Sequence, residues 1–298
     1  MNSVFPKYRS IDERLDILIS DGLQIDDRAS AKAALERVDY FRMMRFAPMF
    51  EDENRHFFPG TTFADLENIY EFDRYIRHII MQCIDPIEVA LRAQLSDLVG
   101  TRYGSDGYRH REHFQSAQEF KEFYRKLEKK FTMRNVYEVI DDVHVSNIYE
   151  LPVWVAFELC TLQMLELFYT NLKKHDQKEI ARIYGFSYRD LPSWLHYLVV
   201  IRNTAAHQGR FVDRHFNDPA TLDRFDERQF PDFVGNDLFA AFYVCTKFLS
   251  TVDVDLIFMI INDLKEELHD SNIELKKIGF PESWYEQLLS ILHIGVEQ

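Results

Sequence analysis

The sequence predicts an all-α protein. Apolar side chains recur three and four residues apart along most of its 298 residues, and almost no segment alternates apolar with polar residues between hairpin turns. Hydrophobic residues make up 46% of the chain, which is enough to bury a substantial core without disulfides or a structural metal.

Capping residues mark the first helices. Asp26 or Asp27 is placed to cap a short helix near the N-terminus. Thr62, with Asp65 three residues on, opens a much longer helix that carries one apolar stripe. Pro86 lies within that stripe, and we expect it to kink or split the helix.

The middle of the chain predicts two further helices of opposite character. A glycine-rich turn at 100–107 is followed by a basic helix over about 115–133 and then by a loop. Pro152 begins the next helix, and residues 154–168 are apolar nearly all round. We expect this second helix to lie at the centre of the core.

The last third of the chain continues the helical pattern. Pro192 begins a helix, and Gly209 is a natural terminator for it. Residues 238–249 and 254–264 predict two more helices, and Gly279-Phe280-Pro281 is a break before a short final one.

Neither an internal repeat nor a linker rich in proline or serine divides the chain. We therefore expect a single unit over residues 1–298. A looser division would separate N-terminal helices (1–60), a core (61–250) with an insertion at 100–150, and C-terminal helices (251–298).

Charge, cysteine content and hydropathy exclude several classes of function. The net charge of −14 argues against broad binding to duplex DNA, which depends on a dense basic surface. Cys83, Cys160 and Cys245 lie in apolar surroundings without a CxxC pair and predict buried, reduced thiols. The N-terminus has no signal-peptide core, and the apolar run at 256–261 is too short to span a bilayer, so we expect a cytoplasmic protein without a membrane partner.

Motifs for cofactor or metal chemistry are missing from the sequence. It has no phosphate-binding GxGxxG or Walker loop, no GxSxG elbow and no HExxH. His110 with His113, and Asp141 and Asp142 with His144, have spacings that a divalent metal accepts, but both groups lie in polar loops that favour solvated side chains. We expect no cofactor and no metal site.

Positive charge is concentrated in the basic helix. Its cationic residues are Lys121, Arg125, Lys126, Lys129, Lys130 and Arg134, against the acids Glu122 and Glu128. A solvated helix face is the simpler interpretation and the one we favour. Contact of Lys126, Lys129 and Lys130 with RNA is the alternative.

A second polar cluster ends an apolar helical run. Arg202, Asn203 and His207 follow directly after 195–201, with Arg210 one turn further. Arginine binds phosphate oxygens in a bidentate manner, and histidine transfers protons near neutral pH, which are the two services that metal-free RNA cleavage requires. His207 would accept the 2′-hydroxyl proton or protonate the leaving 5′-oxygen, while Arg202 stabilises charge on the phosphate.

The spacing of this cluster constrains its geometry. On a continuous helix, a separation of five residues places Arg202 and His207 about 140° apart around the axis, so their side chains cannot share one face. Either the backbone leaves helical geometry before His207, or a second copy of the chain completes the site in a symmetric dimer. Asn203 is four residues from His207, and its amide is placed to orient the imidazole.

A purely structural interpretation competes with the catalytic one. Arg202 would then be a half-buried cation paired with an acid such as Glu158, and His207 would cap the helix C-terminus. Composition alone favours this interpretation, because one arginine and one histidine at such a spacing are common.

Four segments together resemble a known family. They are LERVDYFRMMRFAPMF at 35–50, IYEFDRYIRHIIMQCIDPIEVALRAQ at 69–94, LPVWVAFELCTLQMLELFYTNL at 151–172 and SWLHYLVVIRNTAAHQGRFVDR at 193–214. In these segments the chain resembles the abortive-infection family related to AbiD and AbiF, within the HEPN superfamily. The resemblance extends through most of the chain.

The resemblance implies both a fold and a site. It implies a HEPN-type helical bundle with additional N-terminal and C-terminal helices, and an endoribonuclease site in which an arginine and a histidine meet across a homodimer without a metal. Carried onto this chain, the catalytic pair is Arg202 and His207. Asn203, Arg210 and Arg214 are the matching residues that would bind or orient the substrate.

The expected function is that of a toxic effector of abortive-infection phage defence, which cleaves RNA by 2′-hydroxyl attack. The resemblance also implies an inhibitory noncoding RNA as a partner, beside the RNA substrate. The alternative is a non-catalytic RNA-binding or interaction module of a phage-defence or toxin–antitoxin system, in which the same cluster binds phosphate without turnover.

Overall fold

The computed structural model describes residues 8–133, 148–222, 226–230, 233–271 and 273–296. The predicted all-α architecture is confirmed, since the described residues form helices joined by turns and contain only isolated β-bridges. The helices are α1 (Ile11–Ser20), α2 (Arg28–Arg37), α3 (Tyr40–Met43), α4 (Phe63–Tyr103), α5 (Ala117–Met133), α6 (Val153–Glu158), α7 (Leu162–Asn171), α8 (Lys174–Ile183), α9 (Leu191–Ala206), α10 (Asp226–Gln229), α11 (Leu238–Val252), α12 (Val254–Asp270) and α13 (Trp284–Val296).

The predicted caps form as expected. The carboxylate of Asp27 accepts hydrogen bonds from the backbone amides of residues 29 and 30 and so begins α2. Thr62 and Asp65 make a reciprocal capping box at the start of α4, each side chain accepting from the other's backbone amide. These bonds satisfy amides that a helix leaves without partners at its first turn.

Helix α4 is the axis of the fold. It has 41 residues and so extends about 60 Å, and its buried face packs against α6, α9 and α11. Of the two effects expected of Pro86, a kink or a split, the split does not occur, because the helix is continuous through that position. Proline removes one backbone hydrogen bond, but the adjacent buried side chains of Ile84 and Ile87 hold the segment against its neighbours.

A single helix over 154–168 is also a wrong prediction. The segment forms two helices, and α6 ends at Glu158 while α7 begins at Leu162. Tertiary contacts fix this break, since Arg92 of α4 donates a hydrogen bond to the carbonyl of Cys160 between them. Trp154, expected in the core, is 57% exposed.

The core is otherwise composed as the sequence indicates. Helix α11 is buried along most of its length and contacts α4, α9, α12 and α13. The three cysteines are free and buried, as predicted. Burial raises the pKa of the Cys160 thiol well above its usual range.

The described ranges contain neither a membrane-spanning helix nor a metal-binding group of side chains. None of the helices there is long and apolar enough to cross a bilayer. No group of three or more His, Cys, Asp or Glu side chains in those ranges is arranged to hold a metal. Asp141, Asp142 and His144 lie outside the described residues, as does Arg134.

Candidate functional site

A basic cleft opens between α5, α7 and α9. Its volume is about 400 Å³. The cationic and amide side chains that line it are Arg125, Lys126, Lys129 and Lys130 from α5, Gln163 from α7, and Arg202 and Asn203 from α9. The structure therefore brings together two clusters that lie about 75 residues apart in the sequence, and the described residues of the cleft wall include no acid.

The amphipathic pattern of α5 explains why its lysines face this cleft. Phe123 and Leu127 are buried, and the ring of Phe123 packs 5.0 Å from that of Phe168 in α7. With that face held against the core, the lysines on the opposite side project outward. Lys129 and Lys130 make no ion pair with any described residue, so their charge is available to an anion.

The N-terminus of α7 also lies at the cleft. Thr161, Leu162 and Gln163 line it, and no side chain caps this helix end. The first amides of a helix lack intrahelical partners and carry partial positive charge, and phosphate groups bind favourably to such ends. The break between α6 and α7 is what places this end beside the lysines.

Arg202 lies half-buried in the cleft, and its guanidinium makes no hydrogen bond or ion pair with another described residue. The pairing of Arg202 with Glu158 that the structural interpretation expects is therefore not formed, whereas His207 does stand at the C-cap of α9, as that interpretation expects. Glu158 instead lies 3.7 Å from Arg92. A guanidinium that lines a cleft without a counterion is suited to bind an external anion.

His207 ends α9 and does not line the cleft. Its backbone amide donates to the carbonyl of Asn203 at 3.0 Å, and its side chain is exposed. Gln208 follows in the left-handed region with φ 57°, and the amide of Gly209 donates to the carbonyl of Thr204 at 2.7 Å, which closes the helix end. The helix ends where Gly209 predicts, but Gln208 rather than the glycine takes the left-handed conformation.

Within one chain the predicted residues therefore separate into two groups. Arg202 and Asn203 face the cleft, whereas His207 lies exposed at the helix end. The side chains of Asn203 and His207 make no hydrogen bond to one another, so the expected orienting contact is not formed.

Arg210 and Arg214 lie beyond the helix end and bind the loop that they belong to. Arg210 donates to the carbonyls of Arg45 (2.5 Å) and Asp213 (2.8 Å). Arg214 donates to the carbonyl of Arg210 and lies 4.7 Å from the ring centre of Phe216. Burial and then the positive charge of Arg210 lower the pKa of Arg214 from its usual value. Both arginines therefore stabilise the loop conformation.

Asp73 fixes this loop to α4. Its buried carboxylate accepts hydrogen bonds from the amides of Phe211 (2.7 Å) and Val212 (2.9 Å) and pairs with Arg77. Burial raises the pKa of Asp73, while the two amides and Arg77 act in the opposite direction. These contacts give Asp73 a structural role, and Arg74, its neighbour in sequence, pairs with Glu71.

A further ion pair lies within α4. Glu88 and Arg92 meet at 2.9 Å one turn apart on α4, with both side chains mostly buried. Such a pair, one turn apart, stabilises the helix that carries it.

Sequence reasoning missed an oriented histidine near the cleft. His196 of α9 lies 2.8 Å from Glu166 of α7 through Nδ1 and 3.5 Å from Asp218 through Nε2. Desolvation lowers the pKa of His196, but the two carboxylates outweigh it and the net shift is upward. The three residues lie far apart in the chain, and no local spacing signals their meeting.

The family of the chain follows from a comparison with known proteins. Residues 33–213, more than half of the chain, match the model of the Abi-like proteins. The chain belongs to the Abi-like family. The match contains Arg202, Asn203, His207 and Arg210, and it ends one residue before Arg214. Searches of curated proteins and of solved structures found no match.

Membership in the Abi-like family supports a role in abortive infection, the defence of a bacterial population against phage. The matched range includes all of α4 and α5 and extends past the end of α9, so the whole basic cleft lies within it.

Proposed function

We propose that this Abi-like protein is a metal-independent endoribonuclease of the HEPN type, the toxic effector of an abortive-infection response. One observation carries the proposal. Arg202 and the lysines of α5, which were separate features of the sequence, line a single cleft, and no acid is found among its described lining residues. A cleft of this kind attracts a phosphodiester, because cationic side chains and helix amides surround it.

The chemistry assigned to the site is cleavage by the ribose 2′-hydroxyl. An imidazole removes the 2′-hydroxyl proton as O2′ bonds to phosphorus, and the P–O5′ bond breaks as the leaving oxygen takes a proton. The products are a 2′,3′-cyclic phosphate and a 5′-hydroxyl. Arg202 stabilises the negative charge that develops on the phosphate oxygens, and His207 is the proton-transfer group.

A second copy of the chain is part of the proposal. His207 is exposed and lies outside the cleft that holds Arg202 of its own chain. In a symmetric dimer each copy supplies one residue to the site of the other, so that the imidazole of one copy faces the arginine of its twin.

The first experiment is a cleavage assay in EDTA with purified protein and RNA. His207→Ala is expected to lower the rate by about 10²–10⁴-fold, and Arg202→Ala by about 10²–10³-fold. His78→Ala is the matched control, since His78 is an exposed histidine on α4, and it should leave the rate unchanged. Equal rates in all four proteins would refute the assignment.

A mixing experiment tests the shared site. The two inactive variants, Arg202→Ala and His207→Ala, each retain one half of it. If the halves come from different copies, mixed dimers contain one complete site and mixing recovers up to about a quarter of the wild-type activity. If both residues act within one chain, mixing recovers none.

The alternative function, an RNA-binding module without turnover, is favoured by one feature of its own. The phosphate-binding groups of the cleft are complete without His207. RNA that binds with a salt dependence set by the lysines, yet yields no products, would support this alternative. An inhibitory noncoding RNA would be found by sequencing nucleic acid that co-purifies with the protein.

A further inference from the structure

A second cleft lies on the other side of α5. Its volume is about 520 Å³, within the range of about 300–1,000 Å³ that small-ligand sites occupy. Phe120 and Tyr124 form an aromatic wall, and Arg109, Lys121 and Arg125 are the cations around it. Glu128 is the acid in its lining.

The aromatic wall is held rigidly from behind. The rings of Phe120 and Tyr124 have centres 5.0 Å apart, and Phe114 supports Phe120 at 5.1 Å. Both side chains are half-buried, so each presents only part of its ring to the cleft. A planar ring can stack on these two aromatic rings without a change in their side-chain conformations, so binding carries little ordering cost.

A basic ridge connects the two clefts. Lys121, Arg125 and Lys129 follow one another at intervals of four residues, which turns the ridge by about 40° around α5 at each step. Lys121 borders the aromatic cleft, Lys129 borders the basic cleft, and Arg125 lines both. Both clefts border α5, and a helix with its side chains is about 10–12 Å across.

This arrangement matches the chemistry of an unpaired nucleotide chain. Single strands are bound by aromatic rings that stack on bases and by cations that follow the phosphates. In duplex RNA the bases are paired and stacked, and the deep major groove keeps side chains from them. An aromatic wall bordered by a basic ridge therefore selects for single strands.

We infer that the cleft formed by Phe120 and Tyr124 binds an unpaired base of single-stranded RNA while a neighbouring phosphate occupies the cleft of Arg202. This inference rests on the proposed function for the identity of the ligand, and it names the substrate class as single-stranded RNA. Lys121 and Lys129, which make no ion pair with a described residue, hold the backbone where the strand passes from one cleft to the other, while Arg125 between them is paired with Glu122.

The test is a binding assay by fluorescence anisotropy. It uses a short labelled single-stranded RNA, the same strand in a duplex, and the His207→Ala protein so that the RNA stays intact. Added to this background, Phe120→Leu is expected to weaken single-strand binding by about 5-fold or more and to leave duplex binding unchanged. Phe258→Leu, at an exposed phenylalanine of α12, is the matched control and should change neither. Lys129→Gln should weaken both RNAs alike.

Three results would overturn the inference. The first is equal affinity for single-stranded and duplex RNA. The second is unchanged single-strand affinity in Phe120→Leu, and the third is an equal loss of affinity for both RNAs in that variant. Should Phe120→Leu fail to fold, an oligonucleotide with its bases removed takes its place, and undiminished binding of that oligonucleotide would be the contrary result. This assay measures binding and not cleavage. Selective single-strand binding by a protein whose wild type does not cleave RNA would therefore support this inference and contradict the proposed nuclease.

Discussion

Replacing Asp73 by alanine tests whether the loop beyond α9 is fixed from within α4. Asp73 is fully buried, and the change leaves Arg77, whose side chain is 9% exposed, without its partner. The amides of Phe211 and Val212 also lose their acceptor. Removal of one partner of a buried ion pair lowers the free energy of unfolding by about 3–5 kcal/mol. The free energy of unfolding of a typical domain is only about 5–15 kcal/mol.

Asparagine at position 73 should cost less than alanine. A single oxygen, Oδ1 of Asp73, accepts from both amides, and asparagine retains such an oxygen while it loses the charge opposite Arg77. We expect about 1–3 kcal/mol for Asp73→Asn. Asp85→Ala, at an exposed aspartate of the same helix, is the control and should stay within about 0.5 kcal/mol.

The assay is urea unfolding at equilibrium, followed by the fluorescence of the buried Trp194. Asp73→Ala should also increase proteolysis of the loop at 210–214, because its tie to α4 is lost. A cost below about 1 kcal/mol for Asp73→Ala, or one equal to that of Asp85→Ala, would show that the buried pair does not hold the loop.

Two further changes probe the end of α9 and its contact with α7. Gly209→Ala places a Cβ 2.8 Å from Cγ2 of Thr204 and 3.1 Å from its carbonyl oxygen, so we expect a loss of about 1–3 kcal/mol in urea unfolding, and an unchanged midpoint would contradict it. The pKa of His196 is raised in the folded protein by its pairing with Glu166 and Asp218. This pairing therefore stabilises the folded state to its full extent below pH 6.5, the ordinary pKa of histidine, and the contribution is lost as the pH rises through the raised pKa. Wild type should therefore lose more stability than His196→Gln between about pH 6 and about pH 8, and parallel losses would show that this imidazole does not titrate as argued.

Local sequence signals predicted most helices and their ends. Thr62 with Asp65, Asp27 and Gly209 act within one turn of chain, where side chains and backbone meet whatever the rest of the fold does. The failures at Pro86 and at the break before Leu162 have one cause. Packing against distant helices outweighed the local preference in both places.

The sequence by itself determined the helical class, the buried cysteines and the residue types that the site uses, because periodicity and side-chain chemistry are properties of neighbouring residues. Only the tertiary structure decided which of them meet. It joined Arg202 to the lysines of α5, turned His207 away from them, and placed His196 between two carboxylates. Contacts between residues far apart in the chain depend on how whole helices pack, and that packing is set by the shape of the entire core.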